Sequence, residues 1–127
     1  MKPIFLPVTD THNSDIHTNA IIRLTILYPS IDGKKFDKDY YIDKHMPLSL
    51  QLQGAAVEHV SVEFGFSGGA PGSKPPYVAI CNFLYDSFKA FQNAFMPHAE
   101  ILTKDILNYT DIEAIIQFSE VKMNSSE

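Results

Sequence analysis

The chain has 127 residues, of which 45% are hydrophobic and 20% are charged, and it carries a formal net charge of -5 at pH 7. This length and composition predict one globular domain with its own hydrophobic core. The negative charge argues against a nucleic-acid partner, and no apolar run approaches the roughly 20 residues that a membrane-spanning helix needs. Cys81 is the single cysteine, so no intrachain disulfide can form, and we expect a cytoplasmic protein.

The sequence patterns predict six elements in the order βαββαβ, between an irregular arm over residues 1–20 and a polar tail over residues 122–127. Proline, glycine or a capping residue marks most of the boundaries. The predicted strands cover residues 21–28, 57–66, 77–85 and 112–121. A mainly helical segment covers residues 34–53, and a second helical region begins after Asp86 as its cap, breaks at Pro97 and continues over residues 98–107.

This order predicts an α+β, ferredoxin-like domain over residues 21–121, with a four-stranded antiparallel sheet and the helices on one face. The other face of the sheet would carry apolar side chains, among them Leu27, Ile115 and Val121. Antiparallel sheets tolerate one solvated face, so a monomer is the alternative. A patch of this kind is more typical of an interface, so we expect a homodimer in which two sheets pack face to face.

The helix before Gly54 carries the strongest candidates for chemistry. Tyr41 and His45 are predicted on its sheet-facing side together with Leu48 and Leu52. Pro47 has no N–H to bond to the carbonyl of Asp43, so the helix must kink or restart beside His45. An imidazole there can act as a general acid or base, and the Tyr41 phenol can hold a substrate oxygen. The alternative is a core histidine satisfied by a backbone carbonyl.

The second helical region adds His98, directly after Pro97, which could reach the same cavity or serve as a cap or an exposed residue. An apolar stripe precedes it, and we expect its members Phe91 and Phe95 to line a pocket. The sequence contains no HExxH motif, cysteine pair or close histidine pair, so we expect no metal site. No other cofactor is expected, and Cys81 is interpreted as an inert buried thiol.

Several motifs in order resemble the EthD family, which is named for ethyl tert-butyl ether degradation. They are Phe36-Asp37-x-Asp39-Tyr40-Tyr41 with His45-Met46-Pro47-Leu48, Gly68-Gly69-Ala70-Pro71-Gly72-Ser73 with Pro75-Pro76-Tyr77-Val78-Ala79, Pro97-His98-Ala99, and Asn108-Tyr109-Thr110-Asp111-Ile112. The resemblance covers about residues 21–121 and implies a dimeric α+β barrel. The resemblance also implies association with a cytochrome P450 oxidative system, since EthD proteins accompany one. It implies only a general connection with oxidoreductases.

The resemblance therefore implies a protein that handles a small hydrophobic or oxygenated organic compound in a catabolic pathway. His45 and His98 match the histidines of the family motifs, and with Tyr41 they are the candidate catalytic residues. Tyr40, Leu48, Phe91 and Phe95 are expected to contact the substrate. The alternatives are a non-catalytic binding or accessory protein for an oxygenase, a cofactor-free cyclase, isomerase or decarboxylase, and haem ligation by His45 or His98, because a shared fold does not select among them.

Overall fold

The computed structural model describes residues 20–124, in which four antiparallel strands form one sheet. The strands are β1 (Ile22–Pro29), β2 (His59–Phe64), β3 (Tyr77–Tyr85) and β4 (Ile115–Glu120). They lie in the order β2-β3-β1-β4, and every neighbouring pair is antiparallel. This arrangement is the predicted ferredoxin-like α+β fold. Residues 1–19 of the predicted arm and residues 125–127 of the predicted tail lie outside the described residues.

The first helical region changes its geometry three times. Helix α1 (Lys38–Tyr40) runs into a π-helical turn (Tyr41–His45), then into α2 (Met46–Gln53) and a 3-10 turn (Gly54–Ala56). The second region comprises α3 (Phe88–Phe95), a 3-10 turn (Met96–His98) and α4 (Ala99–Ile106). The break before α4 therefore falls at Pro97, as the sequence predicts, because proline cannot continue the backbone ladder.

Two of the predicted helix starts are wrong, and the capping residues explain both. The first helix begins at Lys38 rather than at residue 34, because the Asp37 carboxylate accepts a hydrogen bond from the Tyr40 N–H at 3.0 Å. Ser87, not Asp86, caps α3, since its hydroxyl accepts from the Ala90 N–H at 3.0 Å.

Two strands are shorter than predicted. Strand β4 begins at Ile115 rather than at residue 112, because the chain before it is tied to the loop that precedes α1. The Thr110 hydroxyl donates to the carbonyl of Lys35 at 2.6 Å, and the Asp111 carboxylate accepts a hydrogen bond from the N–H of Lys35 at 2.9 Å. Strand β2 ends at Phe64, and the following Gly65 lies so near the Tyr77 carbonyl that a Cβ would not fit.

The core fills the space between the sheet and the helices. Alternate residues of β1 and β3 point into it, and eight of them are buried: Ile22, Leu24, Ile26, Tyr28, Ala79, Cys81, Phe83 and Tyr85. Phe88, Phe91 and Phe95 of α3 are buried against them, so the predicted apolar stripe is confirmed. The core thus consists of one sheet face and one face of each helical region.

The opposite sheet face has a polar row across its middle and an apolar row beside it. In the polar row Thr25 lies between Asn82 and Gln117, and its hydroxyl donates to the Asn82 side chain at 2.8 Å. In the apolar row Leu27 lies between Ile80 and Ile115. No helix of the described residues covers this face, because all of them pack on the core side.

Candidate functional site

The helical region between Lys38 and Gln53 turns a polar stripe toward the core. Tyr41, His45, Ser49 and Gln53 follow at intervals of four residues, and all four are buried. The π-helical turn lies within this stripe, where the Met46 N–H bonds to the carbonyl of Tyr41. Pro47 follows at the start of α2, so the predicted interruption beside His45 is confirmed. Single π turns inside α-helices are frequent at functional sites.

The π turn also changes which residues face inward. A π turn holds one residue more than an α turn, so the positions after it are rotated by about one residue. Ser49 and Gln53 are buried as a result, whereas Leu48 and Leu52, which the sequence places on the face of His45, are only half-buried. The face assignment after His45 is therefore wrong by one position.

A partly enclosed cavity lies between this stripe, the sheet and α4. Its volume is about 30 Å³, and one side of it is open. This volume has room for about two water molecules. Most of the wall is apolar or aromatic, and the lining residues are Leu24, Ile26, Tyr28, Tyr41, His45, Met46, Ser49, Gln53, Phe83, Phe95, Leu102, Thr103, Ile106 and Tyr109.

His45 forms a hydrogen bond with Asp105 at the edge of this cavity. The His45 Nδ1 lies 2.9 Å from the Asp105 Oδ2, and the two side chains are 11% and 14% exposed. The other carboxylate oxygen accepts from the Tyr40 hydroxyl at 2.7 Å and from the Asn108 Nδ2 at 3.0 Å. Three donors therefore hold Asp105 in place, and Asp105 in turn fixes the His45 ring.

The pKa shifts favour a neutral His45 beside an ionised Asp105. Burial lowers the pKa of His45 from its usual value of 6.5, although the hydrogen bond and charge of Asp105 oppose this. Burial raises the pKa of Asp105, but its hydrogen bonds with Tyr40, His45 and Asn108 outweigh this and leave it below the usual value. At neutral pH the Nδ1–H of His45 therefore donates to the carboxylate. Within the described residues, Nε2 makes no hydrogen bond.

Three buried tyrosines build the wall next to His45. The hydroxyls of Tyr28 and Tyr109 are 2.7 Å apart, and the Tyr109 ring centroid lies 4.7 Å from that of His45. The Tyr41 ring is stacked on His45 at 5.7 Å. Burial raises the pKa of all three phenols, so they are uncharged at neutral pH. This wall is a rigid aromatic surface that carries no charge.

The structure brings some of the predicted site residues to the cavity and places others elsewhere. His45, Tyr41 and Phe95 line it. Tyr40 instead binds Asp105, and Phe91 is buried with its ring stacked on Phe95 at 5.4 Å. Leu48 and His98 are not among the lining residues, and His98 is half-buried in the 3-10 turn before α4. The functional roles predicted for these residues stay predictions.

Sequence reasoning missed Asp105, Asn108 and Tyr109 as members of the site. Asp105 is 60 positions from His45, and no local pattern joins the two. A usable signal was present in the motif Asn108-Tyr109-Thr110-Asp111-Ile112, because it directly follows the predicted helix over residues 98–107. Polar and aromatic residues such as Asn108 and Tyr109, directly after a helix, indicate side chains that contact other parts of the chain.

The part of the chain that the structure describes shows neither a metal cluster nor a spanning helix. Within residues 20–124, no three histidine, cysteine, aspartate or glutamate side chains come together in a way that could hold a metal ion. Among the same residues, every helix is too short or too polar to cross a bilayer. Cytoplasmic location stays a prediction.

Comparison with known proteins identifies the family. The model of the EthD domain matches residues 29–113. An EthD-like protein from Ralstonia eutropha JMP134 is 39% identical, with a TM-score of 0.81 over 85% of this chain and 97% of that one. The chain belongs to the EthD family. A comparison of this EthD chain with curated proteins returns no match.

More distant structures share the fold of this EthD protein. An EthD family protein from Bacillus halodurans C-125 is 19% identical, with a TM-score of 0.62 over 80% of this chain and 99% of that one. A dimeric ferredoxin-like protein from Bacteroides fragilis NCTC 9343 is 10% identical, with a TM-score of 0.53 over 80% of this chain and 96% of that one. At these identities the likeness extends to the fold alone.

Proposed function

We propose that this EthD protein converts a small, largely apolar, oxygenated organic compound by cofactor-free proton transfer, with His45 as the general base. The observation that carries the proposal is the 2.9 Å contact between His45 and Asp105 at the wall of an apolar cavity. A buried histidine oriented by a carboxylate is a standard arrangement for moving a proton near neutral pH. The association of EthD proteins with ether oxidation makes a catabolic, oxidoreductase-associated pathway the expected setting.

The chemistry follows from the protonation states. Because Nδ1 of His45 donates to Asp105, the lone pair of the neutral ring lies on Nε2. Nε2 can accept a proton from carbon or oxygen of a bound molecule, and the ionised Asp105 stabilises the imidazolium that forms. Tyr40 and Asn108 keep the carboxylate in the correct orientation through its second oxygen. The aromatic wall excludes water, which strengthens these electrostatic effects.

The cavity dimensions limit the substrate. The cavity has room for about two water molecules, so only a small group of the substrate enters it while the rest lies at its open side. Apolar contacts with Leu24, Phe95, Leu102 and Ile106 would supply most of the binding energy. The proposed substrate is therefore a small organic molecule with few polar groups.

The proposal can be tested with cyclopentanone, whose α-protons a general base removes and returns as deuterons in heavy water. The exchange is followed by proton NMR with purified wild-type protein, a His45→Ala variant and a His59→Ala control, since His59 is exposed on β2. We expect the wild type and the control to accelerate exchange equally, and His45→Ala to lose about a hundredfold or more of the enzymatic rate. Equal rates in the wild type and His45→Ala would rule out His45 as the base.

A non-catalytic role in delivering the compound to an oxygenase is the second candidate. It requires the same apolar cavity, which is the observation that supports it, but it does not require Nε2 to react. Saturable binding of cyclopentanone by the wild type, with no exchange above the solvent rate, would favour this delivery role. Exchange that depends on His45 would favour the catalytic one.

We infer that the functional unit is a homodimer built on the uncovered sheet face. Leu27, Ile80 and Ile115 form an apolar row there, and antiparallel sheets of this kind bury such rows against a second sheet. An Ile80→Asp substitution should convert the dimer to a monomer in light scattering. The matched control is Ile101→Asp, because Ile101 is an exposed apolar residue on α4. A monomeric wild type, or a dimeric Ile80→Asp variant, would contradict this assembly.

A further inference from the structure

The cavity wall carries a buried hydroxyl that the proposed proton transfer does not use. Thr103 of α4 lines the cavity and is only 8% exposed. Among the residues that the structure describes, its side-chain oxygen makes no hydrogen bond, neither to a side chain nor back to its own helix. Burial of a hydroxyl without a partner is unfavourable, so such a group usually binds water or a ligand.

A second hydroxyl on the same wall is fixed in position by two buried groups. The Ser49 oxygen accepts a hydrogen bond from the Gln53 Nε2 at 3.0 Å, and the Gln53 Oε1 accepts one from the Tyr85 hydroxyl at 2.5 Å. All three residues are buried. Since Ser49 already accepts from Gln53, its own O–H remains free to donate. This chain of hydrogen bonds keeps Ser49 rigid and polarises its hydroxyl.

Both hydroxyls belong to the cavity that contains His45, and they lie on two different helices. Ser49 is four residues after His45 on the inward stripe, and Thr103 faces the cavity from α4. The cavity wall also includes the apolar side chains of Leu24, Phe83 and Leu102. The ligand atom that suits two hydroxyl donors in a largely apolar cavity is a compact acceptor attached to an apolar body.

We propose that Thr103 and Ser49 form a donor subsite for the carbonyl oxygen of the substrate, which makes the substrate class a small apolar ketone or aldehyde. The inference rests on the proposed function of His45. When Nε2 removes a proton from the α-carbon, the C–H electron pair forms a carbon–carbon double bond and the carbonyl π pair moves to oxygen. The product is an enolate and an imidazolium, so charge and protons balance without a cofactor.

The subsite would stabilise this reaction at the atom where charge develops. Fixed hydroxyl donors in a water-poor cavity bind an enolate oxygen more strongly than a ketone oxygen, which lowers the barrier to proton removal. Thr103 would thus determine substrate specificity, because an analogue without the oxygen leaves its hydroxyl unpaired.

The experiment compares the binding of cyclopentanone with that of methylenecyclopentane, which replaces the oxygen by a CH₂ group of similar size. Affinities are measured by NMR titration for the wild type, Thr103→Val, Thr103→Ser and a Thr25→Val control on the opposite sheet face. We expect Thr103→Val to lose about fivefold to tenfold in affinity for the ketone and little for the alkene, as one neutral hydrogen bond predicts. Thr103→Ser keeps the hydroxyl and should retain the preference.

Three results would overturn the subsite. The first is a wild type that binds neither probe, or that binds both with equal affinity. The second is a Thr103→Val variant that keeps the full preference for the ketone. The third is a folded Thr103→Ser variant that loses this preference. A failure of the proposed function is distinguishable, because the titration requires no exchange. If His45→Ala exchanges protons as fast as the wild type while Thr103→Val still loses ketone affinity, the base assignment is wrong and the subsite stands.

Discussion

The contact between His45 and Asp105 should appear as a measurable coupling in the free energy of unfolding. The perturbation is a double-mutant cycle with His45→Ala, Asp105→Ala and the variant that carries both substitutions. Alanine at either position also removes packing, but the cycle cancels these separate losses and leaves the pairwise term.

The magnitude follows from the geometry of the pair. A hydrogen bond between a neutral donor and an ionised acceptor contributes about 1.5–3 kcal/mol when it is desolvated. The Asp105 side chain is 14% exposed, so solvent screens part of this interaction. We therefore expect a coupling of about 1–2 kcal/mol near pH 8, where His45 is neutral and Asp105 is ionised.

The assay is urea unfolding followed by circular dichroism for the four proteins of the cycle. The control is the same cycle on Glu100 and Lys104, a surface pair at 3.4 Å whose side chains are mostly exposed, and its coupling should be near zero. A coupling for His45 and Asp105 as small as that of the control would refute the assignment of a structured histidine–carboxylate pair.

Further predictions concern pH and packing. The pKa of His45 is lower in the folded chain than its usual 6.5, so the unfolded state takes up the proton first as the pH falls. The contribution of neutral His45 to stability should therefore be complete above about pH 6.5 and decrease below it, whereas His45→Ala should lack this dependence in urea unfolding. Tyr28→Phe removes the buried hydrogen bond between the Tyr28 and Tyr109 hydroxyls at 2.7 Å and should lower the free energy of unfolding by about 1–2 kcal/mol. Tyr77→Phe should change it little, because the Tyr77 hydroxyl has no side-chain partner within residues 20–124. Equal losses in the two variants would contradict this. Gly65→Ala should destabilise by about 1–3 kcal/mol in urea unfolding, because its Cβ would clash with the Tyr77 carbonyl. Gly69→Ala, with open space around it, should be close to neutral in the same assay.

The parts of the fold that the sequence predicts well are those encoded by uninterrupted local patterns. Strand β3 has the predicted bounds, Tyr77–Tyr85, because it is rich in apolar and strand-favouring residues on both faces and is flanked by Pro76 and Asp86. The aromatic stripe of α3 is likewise a repeat of three and four residues along one helix. From these repeats the element order follows, and the order leaves few possible topologies.

The parts that escape sequence reasoning depend on contacts between distant residues or on a shift of a single position. Asp105 is identified only by its contact with His45, across 60 positions. The bonds of Thr110 and Asp111 to Lys35, which delay β4, join positions 75 and 76 apart. An interruption of the helix can be expected from Pro47, but the sequence does not predict the π turn, whose extra residue brings Ser49 rather than Leu48 to the inward face.

The central claim is that neutral His45 presents an unprotonated Nε2 to the cavity. Nitrogen-15 NMR of the histidine rings measures this directly, because protonated and unprotonated ring nitrogens have well-separated chemical shifts. We expect that near pH 8 His45 is the tautomer with the proton on Nδ1, and that in Asp105→Asn this preference is weakened. A His45 ring that carries its proton on Nε2, or that is fully protonated at this pH, would contradict the account.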